Sequence, residues 1–132
     1  MRALMIRHPH IDKILEGKKT WEIRRQRTLI RETIGLIASG SGTIIGVCQL
    51  KDCKGPLTQE QFYENAKKAG MLPSQAQLGN WRLYAWVLEK PRILKRPVPY
   101  ESPGANIWVN LNDEVEREVL KQLEPLRASY VG

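Results

Sequence analysis

The sequence predicts an α+β fold: a mostly antiparallel, partly closed β-barrel of about six strands with helices around it. Three observations carry that expectation. Strand-like runs dominate the centre of the chain and are joined by short connections, Gly/Ser-rich and Gly-Pro steps punctuate them, and helical apolar spacing occurs only early, in the middle and at the end. Regularly alternating strands and helices, the pattern of a doubly wound sheet, are missing. The chain of 132 residues is long enough for one hydrophobic core, so a single domain over 1–132 is expected. Its 42% hydrophobic and 27% charged residues are those of a folded globular protein rather than a disordered one.

Each element has a local reason. Residues 2–6 are nearly continuous in apolarity (Ala3, Leu4, Met5, Ile6), as a short buried strand requires. Arg7-His8-Pro9-His10 breaks the run, and proline suits a first helical turn because its missing N–H would be unpaired there. Ile11, Ile14 and Leu15 follow at helical spacing, and Gly17 stops the helix. His8 and His10 could serve as catalytic bases but read better as surface or helix-start residues, since no acid or nucleophile is paired with them locally. Residues 19–25 are a strand whose alternation puts Thr20, Glu22 and Arg24 on one face and Trp21 and Ile23 on the other, Trp21 reading as core.

A polar, basic connection over 26–33 leads to a strand at 33–39. Ser39-Gly40-Ser41-Gly42 has hairpin-turn chemistry, and 43–51 returns as a strand with one wet face. No helix follows that turn, so it fails the context of a phosphate loop. Thr58 and Gln61 are spaced as a capping box opening a helix to about Lys68, which Gly70 ends. Residues 71–80 read as a loop or short helical turn. The strongest strand is 81–89, with Leu83, Ala85 and Val87 alternating against Arg82, Tyr84 and Trp86, and 90–98 continues it past Pro91 as a bent edge strand. A turn over 100–106 carries Pro103-Gly104, 107–109 is a short strand, and Asn112 caps a last helix through Leu123. The apolar stripe of that helix (Val115, Val119, Leu120, Leu123) fits packing on the barrel better than docking a partner.

The formal charge of +7 and a pI near 9.6 favour polyanions, of which nucleic acid is the commonest. The excess is one-sided: Met1 to Arg31 holds nine cations against three acids, whereas Asp113, Glu114, Glu116 and Glu118 reverse the sign. Cys48 and Cys53 are expected to be reduced and unrelated, and two cysteines without a nearby histidine fall short of a zinc site. No metal or cofactor is expected. No apolar run is long enough to span a bilayer and no leader pattern opens the chain, which reads as cytoplasmic and monomeric.

The chemistry concentrates in Gly17-Lys18-Lys19-Thr20-Trp21-Glu22-Ile23-Arg24. An acid and a base two apart on one strand face can pair, position a polar ligand or simply face water. Ile6-x-x-Pro9, Ile14-Leu15-x-Gly17-x-Lys19-x-x-Glu22-x-Arg24, then Tyr84-Ala85-Trp86-Val87-Leu88-Glu89-x-Pro91, Pro97 and Gly104-x-x-Ile107-Trp108 together resemble the ASCH (activating signal cointegrator homology) domains over about residues 2–108. The resemblance implies a PUA-like β-barrel around a cleft, a fold linked to RNA binding, with Lys19, Glu22 and Arg24 lining the cleft. Lys19 would meet a phosphate or a carbonyl oxygen. Glu22 would accept hydrogen bonds from a base edge, and Arg24 would hold Glu22 or a phosphate.

Some small members of the family resemble amidohydrolases of modified cytidines that use a Lys, a Thr three residues on and a distant Glu. Here the residue three after Lys19 is Glu22, and Thr20 faces elsewhere, so that nucleophile is missing. The expected function is therefore a nucleic-acid-binding module, RNA favoured, or one for a nucleoside-like small molecule. Its binding residues would be Arg7, Lys18, Lys19, Glu22, Arg24 and Ser41, with stacking available from Trp86, Tyr84 or Trp108. The alternatives are a small hydrolase of RNA or a modified nucleoside with Lys19 and Glu22 as its acid–base pair, and a protein-interaction domain.

Overall fold

Pro9 and Gly17 bracket a helix for separate reasons, and both show in the computed structural model, which describes residues 1–101 and 107–124. Strand β1 (Arg2–Ile6) ends before Pro9, which stands at the cap position itself, and helix α1 (His10–Leu15) begins one residue later than a first-turn proline would place it. The helix closes with paired reverse bonds: Gly17 N–H donates to the Ile14 carbonyl at 3.0 Å and Lys18 N–H to that of Lys13 at 2.9 Å. This closure needs the left-handed backbone of Gly17, φ +80°. It turns the chain back at once into strand β2 (Trp21–Arg24).

Strands β3 (Thr33–Ala38) and β4 (Thr43–Lys54) form the expected hairpin. Within its turn the Ser41 hydroxyl donates to the Ala38 carbonyl at 2.7 Å and accepts from Thr43 N–H at 3.0 Å. Helix α2 (Gln59–Glu64) opens with the Thr58/Gln61 capping box. It stops short of Lys68 because the carbonyls that follow leave the helical ladder: Lys68 O accepts both Thr20 and Trp21 N–H groups at 2.9 Å. One 3-10 turn, Pro73–Gln75, precedes strand β5 (Tyr84–Pro99), which starts three residues later than the sequence suggests. Strand β6 (Trp108–Asn110) and helix α3 (Asp113–Leu123) complete the described chain, with Asn112 Oδ1 accepting Val115 N–H at 2.9 Å. The turn anticipated around Pro103-Gly104 lies outside the described residues.

The six strands form one sheet in the order β2-β5-β4-β3-β1-β6. Only the β1–β3 pair is parallel, so the sheet is mixed and mostly antiparallel. Register shifts between Leu36/Ile37 and at three places along β4–β5 bend the long ribbon, as extra residues in one strand of a pair do. Beyond Val87, β5 pairs with β4 alone, which is the bent edge expected around Pro91. The rolled sheet does not close through backbone pairing, since β2 and β6 stay as its two edges.

Inside the roll lie Leu4, Ile6, Ile34, Leu36, Cys48, Leu50 and Trp86, closed over by Ile11 and Ile14 of α1. The opposite face carries Ala3, Ile37, Ile44, Val47 and Val98 under Val119 of α3. Gln122 fixes that helix to β5 by accepting from Arg96 N–H at 3.0 Å and donating to the Arg96 carbonyl at 3.1 Å, while Leu120 faces solvent. Covering both faces changes two expectations. β4 has no wet face before Lys51, and Tyr84 and Trp86 are buried together with Ala85. Trp21 is core, packed with Phe62, Ala66 and Ala69.

One contact is tight enough to test. A Cβ built on Gly46 would overlap a Leu15 methyl and stand 2.8 Å from the Arg92 carbonyl oxygen. The methyl can move but the carbonyl belongs to the paired strand. Gly46→Ala is therefore expected to lower the unfolding free energy by about 1–3 kcal/mol, read from urea midpoints. An unchanged midpoint would mean that α1 and β5 are not packed this closely over β4.

Candidate functional site

The short edge strand β2 alternates as its spacing dictates. Trp21 goes into the core beneath α2, and Glu22 and Arg24 line a cleft on the other side. The walls of the cleft come from four places: Met5 to Arg7 at the end of β1, His10 at the start of α1, Glu22 to Arg24, and Ser39 with Ile107. Its volume is about 440 Å³. A larger groove of about 690 Å³ runs between the end of β5 and α3, lined by a mixture of Glu101, Glu114, Glu118, Arg117 and Lys121. None of those groups is buried, so the β2 cleft is the better chemical candidate.

Glu22, 8% exposed, is the centre of the cleft's polar wall. Its Oε2 accepts from Arg24 Nε at 2.9 Å and lies 2.7 Å from Arg24 Nη2. Its Oε1 faces the Lys19 ammonium across 3.6 Å. Lys19 is itself only 3% exposed and donates to the Ala69 carbonyl at 2.7 Å, while Lys13 donates to the neighbouring Gly70 carbonyl at 2.9 Å. The two lysines thus clamp the segment after α2 against β2. Arg24 Nη2 continues the chain of contacts to the Met5 carbonyl at 3.2 Å, tying the edge strand β2 across the open seam to β1. Burial pulls the Lys19 ammonium below its ordinary pKa, with Glu22 opposing that shift.

The sequence-derived site residues divide. Arg7, Glu22 and Arg24 line the cleft directly, and Lys19 stands behind Glu22. Lys18 is 75% exposed, pairs with Glu16 at 3.0 Å and lines no part of the cleft. The Ser41 hydroxyl is used by its own turn, and Ser39 is the turn residue in the wall. Tyr84 and Trp86 are too deeply buried to stack on a ligand. Trp86 instead donates from Nε1 to the Gln26 carbonyl at 2.9 Å and stacks on Trp108, ring centroids 5.8 Å apart.

His10 reads from the sequence as a helix-start residue in preference to a catalytic base, yet it lines the cleft and its Nδ1 is buried with no hydrogen-bond partner among the described residues. The usable signal was its place at the first helical position after the strand-ending Arg7-His8-Pro9. His8 does have a local acid, lying 2.6 Å from Asp12 one helical turn on. Cys48 and Cys53 are free thiols, and burial pushes Cys48 up to about 12. Among the described residues no three His, Cys, Asp or Glu side chains converge as metal ligands, and no helix is long and apolar enough to cross a membrane.

Burial, reinforced by the Lys19 ammonium, holds the His10 imidazole below its ordinary pKa of 6.5, while Glu22 acts in the opposite sense. The unfolded chain binds that proton more tightly. Its contribution to stability is therefore full above 6.5 and falls as the pH drops through the lowered folded value. An NMR titration of His10 should give a midpoint below 6.5, and Lys19→Met should raise it by removing one repelling charge. A midpoint that stays put in the variant would show that the two groups do not sense each other.

Residues 4–97 of the sequence match the ASCH domain family. Among solved structures, the fold is similar to ASCH from Zymomonas mobilis with a TM-score of 0.73 at 17% identity, covering 91% of this chain and 93% of that one. Two mutant forms of the same Zymomonas mobilis protein are similar at TM-scores of 0.69 and 0.70, with 17% and 18% identity. They cover 94% and 96% of their own lengths and 91% of this chain. No curated protein is significantly similar to the sequence. The match spans well over half of the chain, and with the mixed, partly closed barrel around its β2 cleft this protein belongs to the ASCH domain family.

Proposed function

We propose that the β2 cleft binds a nucleotide unit of a nucleic acid, with cytoplasmic RNA favoured, by reading a base edge with Glu22 and holding a phosphate with Arg7. The observation that carries this reading is the state of the Glu22 carboxylate. Arg24 occupies Oε2, whereas Oε1 has only the more distant Lys19 ammonium and keeps capacity to accept from a ligand. A carboxylate with one oxygen anchored and the other left to accept is suited to the N–H donors of a base edge. Ile107 supplies an apolar flank for the base's face, and the exposed Arg7 stands at the rim with no ion pair among the described residues. In this reading Lys19 positions Glu22 rather than touching phosphate, because its ammonium is buried and donates to the Ala69 carbonyl. A free nucleoside-like molecule would use the same groups without the phosphate contact.

Hydrolysis is the second reading, and one observation favours it: the His10 imidazole lines the cleft with Glu22, and its buried Nδ1 has no hydrogen-bond partner among the described residues, which leaves it free to exchange a proton with a substrate.

Both readings meet in one experiment. Fluorescence anisotropy of labelled single-stranded RNA, titrated at several salt concentrations, should show binding that weakens as salt rises. Arg7→Ala should weaken it and reduce the logarithmic salt slope by about 1, and Lys18→Ala should leave the cleft contact unchanged. Equal losses for both variants would point to diffuse surface charge and remove the cleft assignment. Shortened RNA on a denaturing gel of the same samples, abolished by His10→Ala, would establish the hydrolytic reading.

A further inference from the structure

Past Arg24 the chain leaves β2 and becomes basic and exposed, and there it forms a second feature outside the cleft. The Arg25 guanidinium lies flat against Trp81, 3.4 Å from the ring centroid. Trp81 is 54% exposed, the only tryptophan of the four in that state, and its neighbour Arg82 is exposed as well. Arg27 sits over Tyr84 at 5.5 Å. Neither Arg25 nor Arg27 forms an ion pair among the described residues, although most cations earlier in the chain are used internally. Burying half a tryptophan under an arginine while leaving both in water gives a rigid, positively charged π surface.

The geometry points to a stacking platform at Arg25 and Trp81 for a single-stranded polynucleotide that continues out of the cleft. This inference rests on the cleft reading above and sets the class of ligand: an oligomer with unpaired bases, rather than a nucleotide or a duplex. Successive residues of a strand face opposite ways, so Arg24 turns toward the cleft and Arg25 leaves on the other side. Glu22 and Trp81 then take different nucleotides of one strand. The spacing suits a short strand. Arg24 pairs with Tyr84 in the sheet, and Trp81 is three residues upstream of Tyr84, at most about 10 Å along the chain. A strand leaving Glu22 therefore rounds the C-terminal end of β2, with Arg27 beside its phosphates and one base on the Trp81–Arg25 stack. Aromatic and guanidinium faces accept any base, but only one already out of a helix.

The test uses the full chain and oligouridylates from the mononucleotide to about eight nucleotides, the size range of one single-strand site. Affinity should rise steeply once the oligomer spans both features, and the tryptophan fluorescence should fall on binding. Trp81→Ala should cost the longer oligomers about tenfold in affinity and abolish most of the quenching, while leaving mononucleotide binding unchanged. Trp81→Phe should restore much of the loss, since a benzene ring still stacks. Trp81 is exposed, so neither variant is expected to disturb folding, which a thermal melt checks. An affinity independent of length, a Trp81→Ala variant that binds long oligomers normally, or equal binding of an RNA duplex would each overturn the platform. Where Arg7→Ala still weakens binding in that case, the cleft reading stands and only the platform falls. Absence of any binding to mononucleotide or oligomer would remove both.

Discussion

A carboxylate on an edge strand, withdrawn almost completely from water, is the constraint around which this domain is assembled. Desolvating Glu22 alone would cost several kcal/mol, and desolvating Lys19 about as much again. The two are tolerable together because Arg24 and Lys19 approach the same carboxylate and each also donates to one backbone carbonyl. Those carbonyls belong to Ala69 and Met5, so one ionic cluster joins the segment after α2, the edge strand and the end of β1. Such a cluster adds less to stability than an apolar core of equal size would. What it fixes is position, because no member can leave without stranding a buried charge.

That arrangement also explains why there is a cleft. The sheet rolls far enough for its first and last parts to face each other, but β2 and β1 are joined by the Arg24 side chain and not by a backbone ladder. A ladder would bring two strands to about 4.8 Å and fill the seam. A long side chain spans a wider gap, and the space left beside it is walled by Glu22, Arg7, His10 and Ile107. The orphaned Nδ1 of His10 belongs to the same seam, where the backbone offers it no partner.

The electrostatics follow from the packing. Although the first 31 residues carry most of the net positive charge, much of it is not a rim. Lys13, Lys19 and Arg31 are used on carbonyls, Arg24 on Glu22, Arg2 on Glu32 and Lys18 on Glu16. What remains is Arg7 at the mouth of the cleft and Arg25 and Arg27 at the end of β2, two of them resting on aromatic rings. The positive charge of this segment left without an acidic or carbonyl partner is thus gathered at the mouth of the cleft and the end of β2. A surface of evenly scattered lysines would attract without orienting.

The sequence by itself determined the elements and the identity of the central cluster. The closure at Gly17, the Thr58/Gln61 cap, the Ser39–Gly42 turn and the alternation that sends Trp21 one way and Glu22 the other all depend on atoms within a few residues of each other. It also misplaced things for the same reason. Local pattern carried α2 to Lys68, because only the fold shows that β2 takes the Lys68 carbonyl. It made Lys18 the equal of Lys19, two adjacent lysines that differ only in which one the reversal turns inward. His10, Ser39 and Ile107 join Glu22 through the roll of the sheet, and Trp81 meets Arg25 across more than fifty residues of chain. Tertiary structure alone decided these meetings, since they are set by register, bulges and the unclosed seam between β2 and β1, none of which has a signature in neighbouring residues.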